Sequence, residues 1–190
     1  PDGTYLVTTN ADQTPKVWNT GSRELVRSLA RHEAPVERVE ISLDGEFIAT
    51  TGHDHKVIVW DSSNGEELLS LDGFNCDVNG AGCDVAFSPD RKDLAVVDYD
   101  GFLRVFDYRR ILQSQPGRSS AAKFEIPAHD NFIFSVRYSP DGSKIATGGA
   151  DRFVRVWDAS TGEFLLSLGG SRDFIFDAHL SRDGKQIPSS

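Results

Sequence analysis

The stretch Lys56-Val57-Ile58-Val59-Trp60-Asp61 (KVIVWD) places Val57, Val59 and Asp61 on one face and Lys56, Ile58 and Trp60 on the other. A period of two belongs to a β-strand, and β-branched and aromatic residues suit a pleated, half-buried surface. Residues 102–107 (FLRVFD) and 153–158 (FVRVWD) repeat the pattern. Its aromatic anchor falls at Trp18, Trp60, Phe106 and Trp157, at steps of 42, 46 and 51 residues. An Asp that follows a strand-like run recurs at Asp2, Asp44, Asp90, Asp141 and Asp183, at steps of 42, 46, 51 and 42. Four of these five are followed by Gly, Arg91 being the exception. Two markers that keep one spacing define an internal repeat.

Each repeat holds four short strand-like runs bounded by Gly, Asp and Asn; in the second they cover residues 36–42, 46–51, 56–60 and 67–71. No window of a dozen residues carries a helical stripe. Four short antiparallel strands cannot bury both faces alone, whereas similar sheets fanned about an axis cover one another. The fold class read from the sequence is therefore all-β: a β-propeller of four-stranded antiparallel blades, about four of them in an open arc. The divisions expected are a partial blade at 1–32, blades at 33–75, 76–128 and 129–170, and the start of a further blade at 171–190. The absence of Met and the turn-like opening Pro1-Asp2-Gly3 lead to the expectation of a fragment with exposed sheet edges at both ends.

The turn Ser139-Pro140-Asp141-Gly142, the Asp before the third strand (Asp54, Asp151) and the closing pairs Trp60-Asp61 and Trp157-Asp158 resemble those of the WD-repeat family. The resemblance covers essentially the whole chain and implies a parent propeller of about seven blades. It also implies a hydrogen-bonded chain within each blade, formed by a His before the first strand, a Ser or Thr in the second, the turn Asp and the third-strand Trp. The second repeat offers His32, Thr50, Asp54 and Trp60, and the fourth offers His129, Thr147, Asp151 and Trp157. In both, the His lies ten residues before the turn Ser (Ser42, Ser139) and the Thr eight after it. The same offsets from Ser88 give Val78, Val96, Asp100 and Phe106, so the third blade is expected to lack the network and to be held by apolar packing alone. The first repeat keeps Thr8, Asp12 and Trp18, and Ser181 points to Ser189 in the last.

The same residue types would suit a Ser/Thr–His–Asp triad. With the Asp facing the His and the hydroxyl bonded to the Trp, no nucleophile is left exposed, and the structural role is the reading preferred. His53-Asp54-His55 lacks a third ligand for a metal, and Gly80-Ala81-Gly82 is not followed by a helix, as a phosphate loop would require. Neither a cofactor nor a metal is expected. Lys and Arg number 20 against 29 Asp and Glu, and the net charge of −9 argues against nucleic acid as a partner. The longest aliphatic runs fall far short of the ~20 residues of a membrane span. The two cysteines, Cys76 and Cys83, are expected to be free thiols in a reducing compartment, which points to an intracellular protein, cytoplasmic or nuclear.

By the resemblance, the loops that enter each first strand and those between second and third strands share one propeller face. They carry Arg31, Glu33, His53, His55, Tyr99, Phe102, Asp130, Asn131, Phe132, Arg152, Phe153, Arg172 and Phe174. Aromatics and Arg are frequent binding hot spots, so this is the candidate face for a protein or peptide partner. The core of that candidate set is Arg31, His55, Tyr99, Phe102, Asn131, Phe132, Arg152, Phe153 and Arg172. The opposite face is expected to carry a solvated loop at 108–123, with Arg109, Arg110, Arg118 and Lys123 but no acid, and with Ser119 and Ser120 as candidate modification sites. No ionisable residues beyond the repeating set are expected to converge on the central channel. The function expected is a protein-interaction scaffold, not an enzyme. The alternative is the non-catalytic repeat domain of a multidomain enzyme such as a kinase or protease, with a propeller hydrolase behind it.

Overall fold

The computed structural model describes residues 2–9, 11–76, 83–114, 121–169 and 171–181. Its strands form four separate antiparallel sheets in chain order. The first has three strands, β1 (Tyr5–Thr8), β2 (Lys16–Asn19) and β3 (Leu25–Ser28). The second runs β4 (Val36–Ile41), β5 (Phe47–Gly52), β6 (Lys56–Asp61) and β7 (Glu67–Asp72). The third is β8 (Asp84–Phe87), β9 (Asp93–Val97), β10 (Phe102–Asp107) and β11 (Phe124–Pro127). The fourth is β12 (Ile133–Tyr138), β13 (Lys144–Gly149), β14 (Phe153–Asp158) and β15 (Phe164–Gly169). Every sheet is a simple meander, the topology that tight turns between short strands dictate.

The alternation in KVIVWD becomes packing between sheets. Val57, Val59, Leu71 and Phe47 of the second sheet meet Val85, Phe87, Leu94, Val96 and Phe106 of the third in one cluster. Ala95, Val97, Leu103 and Val105 on the other face of the third sheet meet Val136, Ile145 and Trp157 of the fourth. Ile58 and Trp60 turn the opposite way, onto Val17 and Leu29 of the first sheet. The second and third sheets thus hide both faces by stacking, at about 1.5–3 kcal/mol for each large apolar side chain removed from water. The first strands β4, β8 and β12 adjoin one another along the inner edge. The outermost strand β15 is exposed along its whole length.

The Ser-x-Asp-Gly turns explain their own sequence. Ser42 Oγ donates to Asp44 (2.6 Å), the Asp44 carboxylate accepts the Glu46 N–H (3.1 Å), and Gly45 takes φ +75°. Ser139, Asp141 and Gly142 (φ +74°) repeat this geometry. In the third repeat Arg91 holds the left-handed position at φ +64°. Its carbonyl is tied by the Tyr108 hydroxyl at 3.0 Å and by Arg109 Nε at 3.2 Å.

Those ties correct the expectation of a solvated loop from residue 108. Residues Tyr108–Gln113 form a helix, α1, whose first turn is capped by the Asp107 carboxylate accepting the Arg110 N–H at 2.8 Å. Tyr108 is fully buried, edge-on to Phe47 and Phe87, while Ile111 and Leu112 lean on the same cluster. Arg109 crosses back to Asp44 (2.8 Å) and Glu46 (3.0 Å) and lies over the Phe47 ring. The insertion therefore staples the third sheet to the second. Arg118, Ser119 and Ser120 lie outside the described residues, as do Val78, Gly80-Ala81-Gly82 and Ser189.

A second correction concerns the cysteines. Cys76, after β7, and Cys83, before β8, are joined in a disulfide with their Cα atoms 5.0 Å apart. Both are buried in the cluster between the second and third sheets. A spacing along the chain carries no information on how two strand ends converge, and the argument for a reducing compartment falls with it. Residues 174–180 lie on the fourth sheet, the Ile175 N–H bonding the Gly149 carbonyl at 3.1 Å, with Ile175 and Ala178 against Val154. Among the described residues no helix is long and apolar enough to cross a membrane.

Candidate protein-binding face

The loops of one face are held from below by buried polar chains. In the second sheet the Trp60 indole N–H donates to Thr50 Oγ1 (2.8 Å), and Thr50 Oγ1 lies 2.8 Å from His32 Nε2. His32 Nδ1 lies 2.8 Å from the Asp54 carboxylate, which also accepts the Glu33 N–H at 3.0 Å. The fourth sheet matches it: Trp157 to Thr147 at 3.0 Å, Thr147 to His129 at 2.8 Å, and His129 to Asp151 at 2.8 Å. One neutral tautomer, with the proton on Nδ1, satisfies every partner. Burial pulls both imidazoles below their usual pKa, against the opposing pull of Asp54 and Asp151. The first sheet keeps the Trp18–Thr8 bond at 2.9 Å.

Each chain ties an inter-sheet loop (His) to a turn (Asp) and to two strands, leaving no hydroxyl free at the surface. Gly52 and Gly149 were not singled out from the sequence, yet both are needed. A Cβ at either would lie 2.6 or 2.7 Å from Nδ1 of the adjoining His.

The third sheet is held differently from the apolar packing expected. The position matching Gly52 and Gly149 is Asp98, fully buried. Its carboxylate pairs with the Arg104 guanidinium and accepts the N–H groups of Asp100 and Phe102, both at 3.2 Å. Arg104 also bonds Glu125 (2.6 Å) and lies against the rings of Phe74 and Phe102. Where no imidazole fills the space above the second strand, a carboxylate does. The position of Ile58 holds Arg104 here but also Arg155 in the fourth sheet, where it pairs with Asp151, so only Asp98 in place of Gly sets the third sheet apart.

Over these anchors sit the face residues. Tyr99 and Phe132 stack with centroids 3.5 Å apart. His55, Asn131, Arg152, Phe153 and Arg172 are exposed, and Phe102 is half-buried. His55 (φ +64°) and Arg152 (φ +71°) occupy the left-handed position that Gly101 takes in the third sheet. The His55 ring bonds the Phe74 carbonyl at 3.0 Å, and His53 Nε2 lies 2.8 Å from Glu37. Arg31 is exposed, its guanidinium reaching Glu67 at 3.8 Å beside Trp60, toward the outer edge and away from the Tyr99–Phe132 stack. Among the described residues no three His, Cys, Asp or Glu side chains come together to hold a metal.

Residues 23–61, 65–107 and 121–158 each match the family profile described as WD domain, G-beta repeat. The chain belongs to the WD-repeat family. It is 30% identical over 177 residues to WD repeat-containing protein 1-A of Xenopus laevis, covering 74% of this chain and 28% of that protein. WD repeat-containing protein 1 of Xenopus tropicalis is 26% identical over 229 residues, 100% of this chain and 37% of its own length. The small ribosomal subunit protein RACK1 of Drosophila melanogaster is 28% identical over 155 residues, 82% of this chain and 47% of its own. The chain spans less than half the length of each of these relatives.

Within this WD-repeat arc, the inner edge corrects one further expectation, because ionisable residues do converge there. Asp84, on β8, accepts the Val136 N–H (3.0 Å) and the Arg137 guanidinium (2.6 Å) from β12. Arg38 lies 3.9 Å from Asp84, and Arg137 lies 3.7 Å from Asp177. Burial lifts the Glu40 carboxyl to about 7, Arg137 opposing and Asp84 reinforcing the rise. Alternate charges on a first strand, Arg38 and Glu40, were the legible sign. The Asp84 oxygens are engaged by backbone and guanidinium, which makes the cluster a tie between blades.

Proposed function

We propose that this chain is a protein-interaction scaffold whose inter-sheet and second-to-third-strand loops form a docking face for a protein or peptide. The reading rests above all on the pairing of rigid anchors with exposed side chains. Two imidazole-centred chains and the Asp98–Arg104 pair fix the loops from below, while the exposed Arg152 and Phe153 and the half-buried Tyr99 and Phe132 stand above them. Preorganised aromatic and Arg side chains lose little entropy on docking, the property that marks interface hot spots. The relatives support it only as far as their names go: one is named as a ribosomal subunit protein, a component of an assembly. Propeller folds host many activities, so the assignment rests on the face and not on the fold.

The test is a double substitution, Tyr99→Ala with Arg152→Ala, in the complex with a partner isolated on the unmodified chain. Binding is expected to weaken at least about tenfold, as for loss of paired hot spots, with the thermal transition little changed. Undiminished binding, or collapse of the folded protein, would show that these residues serve packing instead.

A further inference from the structure

Tyr99 and Phe132 meet at the junction of the third and fourth blades, their planes 22° apart. The segments that carry them are clamped. The Gly101 carbonyl accepts the N–H groups of Ala128 (2.8 Å) and His129 (3.1 Å). Gly101 itself sits at φ +83°, and a Cβ there would lie 2.4 Å from the His129 carbonyl oxygen. The turn 99–101 and the loop 129–132 therefore form one rigid platform.

Each segment also carries an exposed carboxylate close to its ring in sequence, Asp100 directly after Tyr99 and Asp130 two residues before Phe132. Asp100 accepts from the Asn75 side-chain amide at 2.7 Å. Among the described residues, Asp130 has no hydrogen bond or ion pair, and no Lys or Arg pairs with Asp100. Asp54 and Asp151, the turn acids that match Asp100, and the buried Asp98 have internal partners.

We propose that this platform seats a cationic side chain, Arg or Lys, on an extended basic segment of the partner protein. An aromatic face attracts a cation through its quadrupole, and exposed carboxylates on the same two clamped segments add Coulomb attraction that a planar guanidinium meets with directed hydrogen bonds. The net charge of −9 steers a basic segment toward the chain and an acidic one away. This inference rests on the scaffold reading and adds to it the chemistry of what binds.

The experiment titrates the isotope-labelled chain with short Gly–Ser peptides carrying two arginines, two citrullines or two glutamates, followed by amide NMR shifts. The arginine peptide is expected to shift Tyr99, Asp100, Asp130 and Phe132, weakening with salt, and the citrulline peptide to leave them unmoved. Asp100→Asn with Asp130→Asn, and Tyr99→Ala separately, are expected to lower the arginine peptide's affinity by about three- to tenfold. Dispersed spectra report that each variant folds, and Asp130→Asn alone, at an exposed unpaired carboxylate, serves where another does not. Equal binding of arginine and citrulline peptides, or arginine shifts confined elsewhere, overturns the proposal. A glutamate peptide held at this platform and released by Arg152→Ala overturns it too, while leaving the scaffold reading in place. The scaffold reading fails separately, when an isolated partner ignores the Tyr99 and Arg152 substitutions.

Discussion

At the scale of single residues, protons separate the buried groups. His32 and His129 are held below the usual imidazole range by burial, so the folded state binds fewer protons than the unfolded chain. Their contribution to stability is complete above about pH 6.5 and is lost as pH falls below it. Glu40 acts in the opposite sense. Its carboxyl is raised from 4.5 to about 7, so the folded state keeps a proton that the unfolded chain releases. That contribution is present at low pH and is lost as pH rises through 7. Glu40→Gln, neutral throughout, is therefore expected to raise the melting temperature by a few degrees at pH 8 and to give no gain at pH 4, below the unfolded pKa. An equal gain at both pH values would point to packing. The imidazole chains were legible in the sequence because each member sits at a fixed offset from the turn Ser. Glu40 was legible as a charge on a first strand, but its raised pKa was not, because that depends on burial and on which charged groups the neighbouring blades bring to the inner edge.

At the scale of elements, the third blade shows what a repeat loses and regains. The turn Ser88 and the Asp-rich strand ends kept it recognisable, and its strands fall where the period places them. The Asp98–Arg104 pair was invisible for a physical reason. It replaces a motif with residues that match no motif, and only the third dimension shows that a carboxylate fills the space of an imidazole. Removing one partner of a buried pair strands the other without compensation. Arg104→Ala is expected to destabilise the protein by about 3 kcal/mol in urea unfolding. A loss below about 1 kcal/mol would assign the blade's cohesion to its apolar clusters. Helix α1 was missed because six residues are too few to show a period, and its stability comes from Tyr108 wedged between Phe47 and Phe87. The disulfide was missed because seven residues of separation fix neither the direction nor the distance of two Cβ atoms.

At the scale of the molecule, stacked sheets behave as one body only if the interfaces between them are as strong as the sheets. The clusters shared by neighbouring sheets, the Arg109 bridge to Asp44 and Glu46, and the Asp84–Arg137 tie supply that coupling. The chain has only three Trp residues, so three indole N–H signals report on three blades separately. Trp60 and Trp157, 1% and 6% exposed, donate to buried Thr hydroxyls, whereas Trp18 lies half-buried in the three-stranded sheet. Hydrogen exchange of those three protons tests the architecture most directly. Trp60 and Trp157 should exchange slowly, with one shared free energy equal to that of global unfolding, and Trp18 faster. Rapid exchange at Trp60 or Trp157, or unrelated free energies for the two, would contradict a coupled arc of blades pinned by Thr, His and Trp.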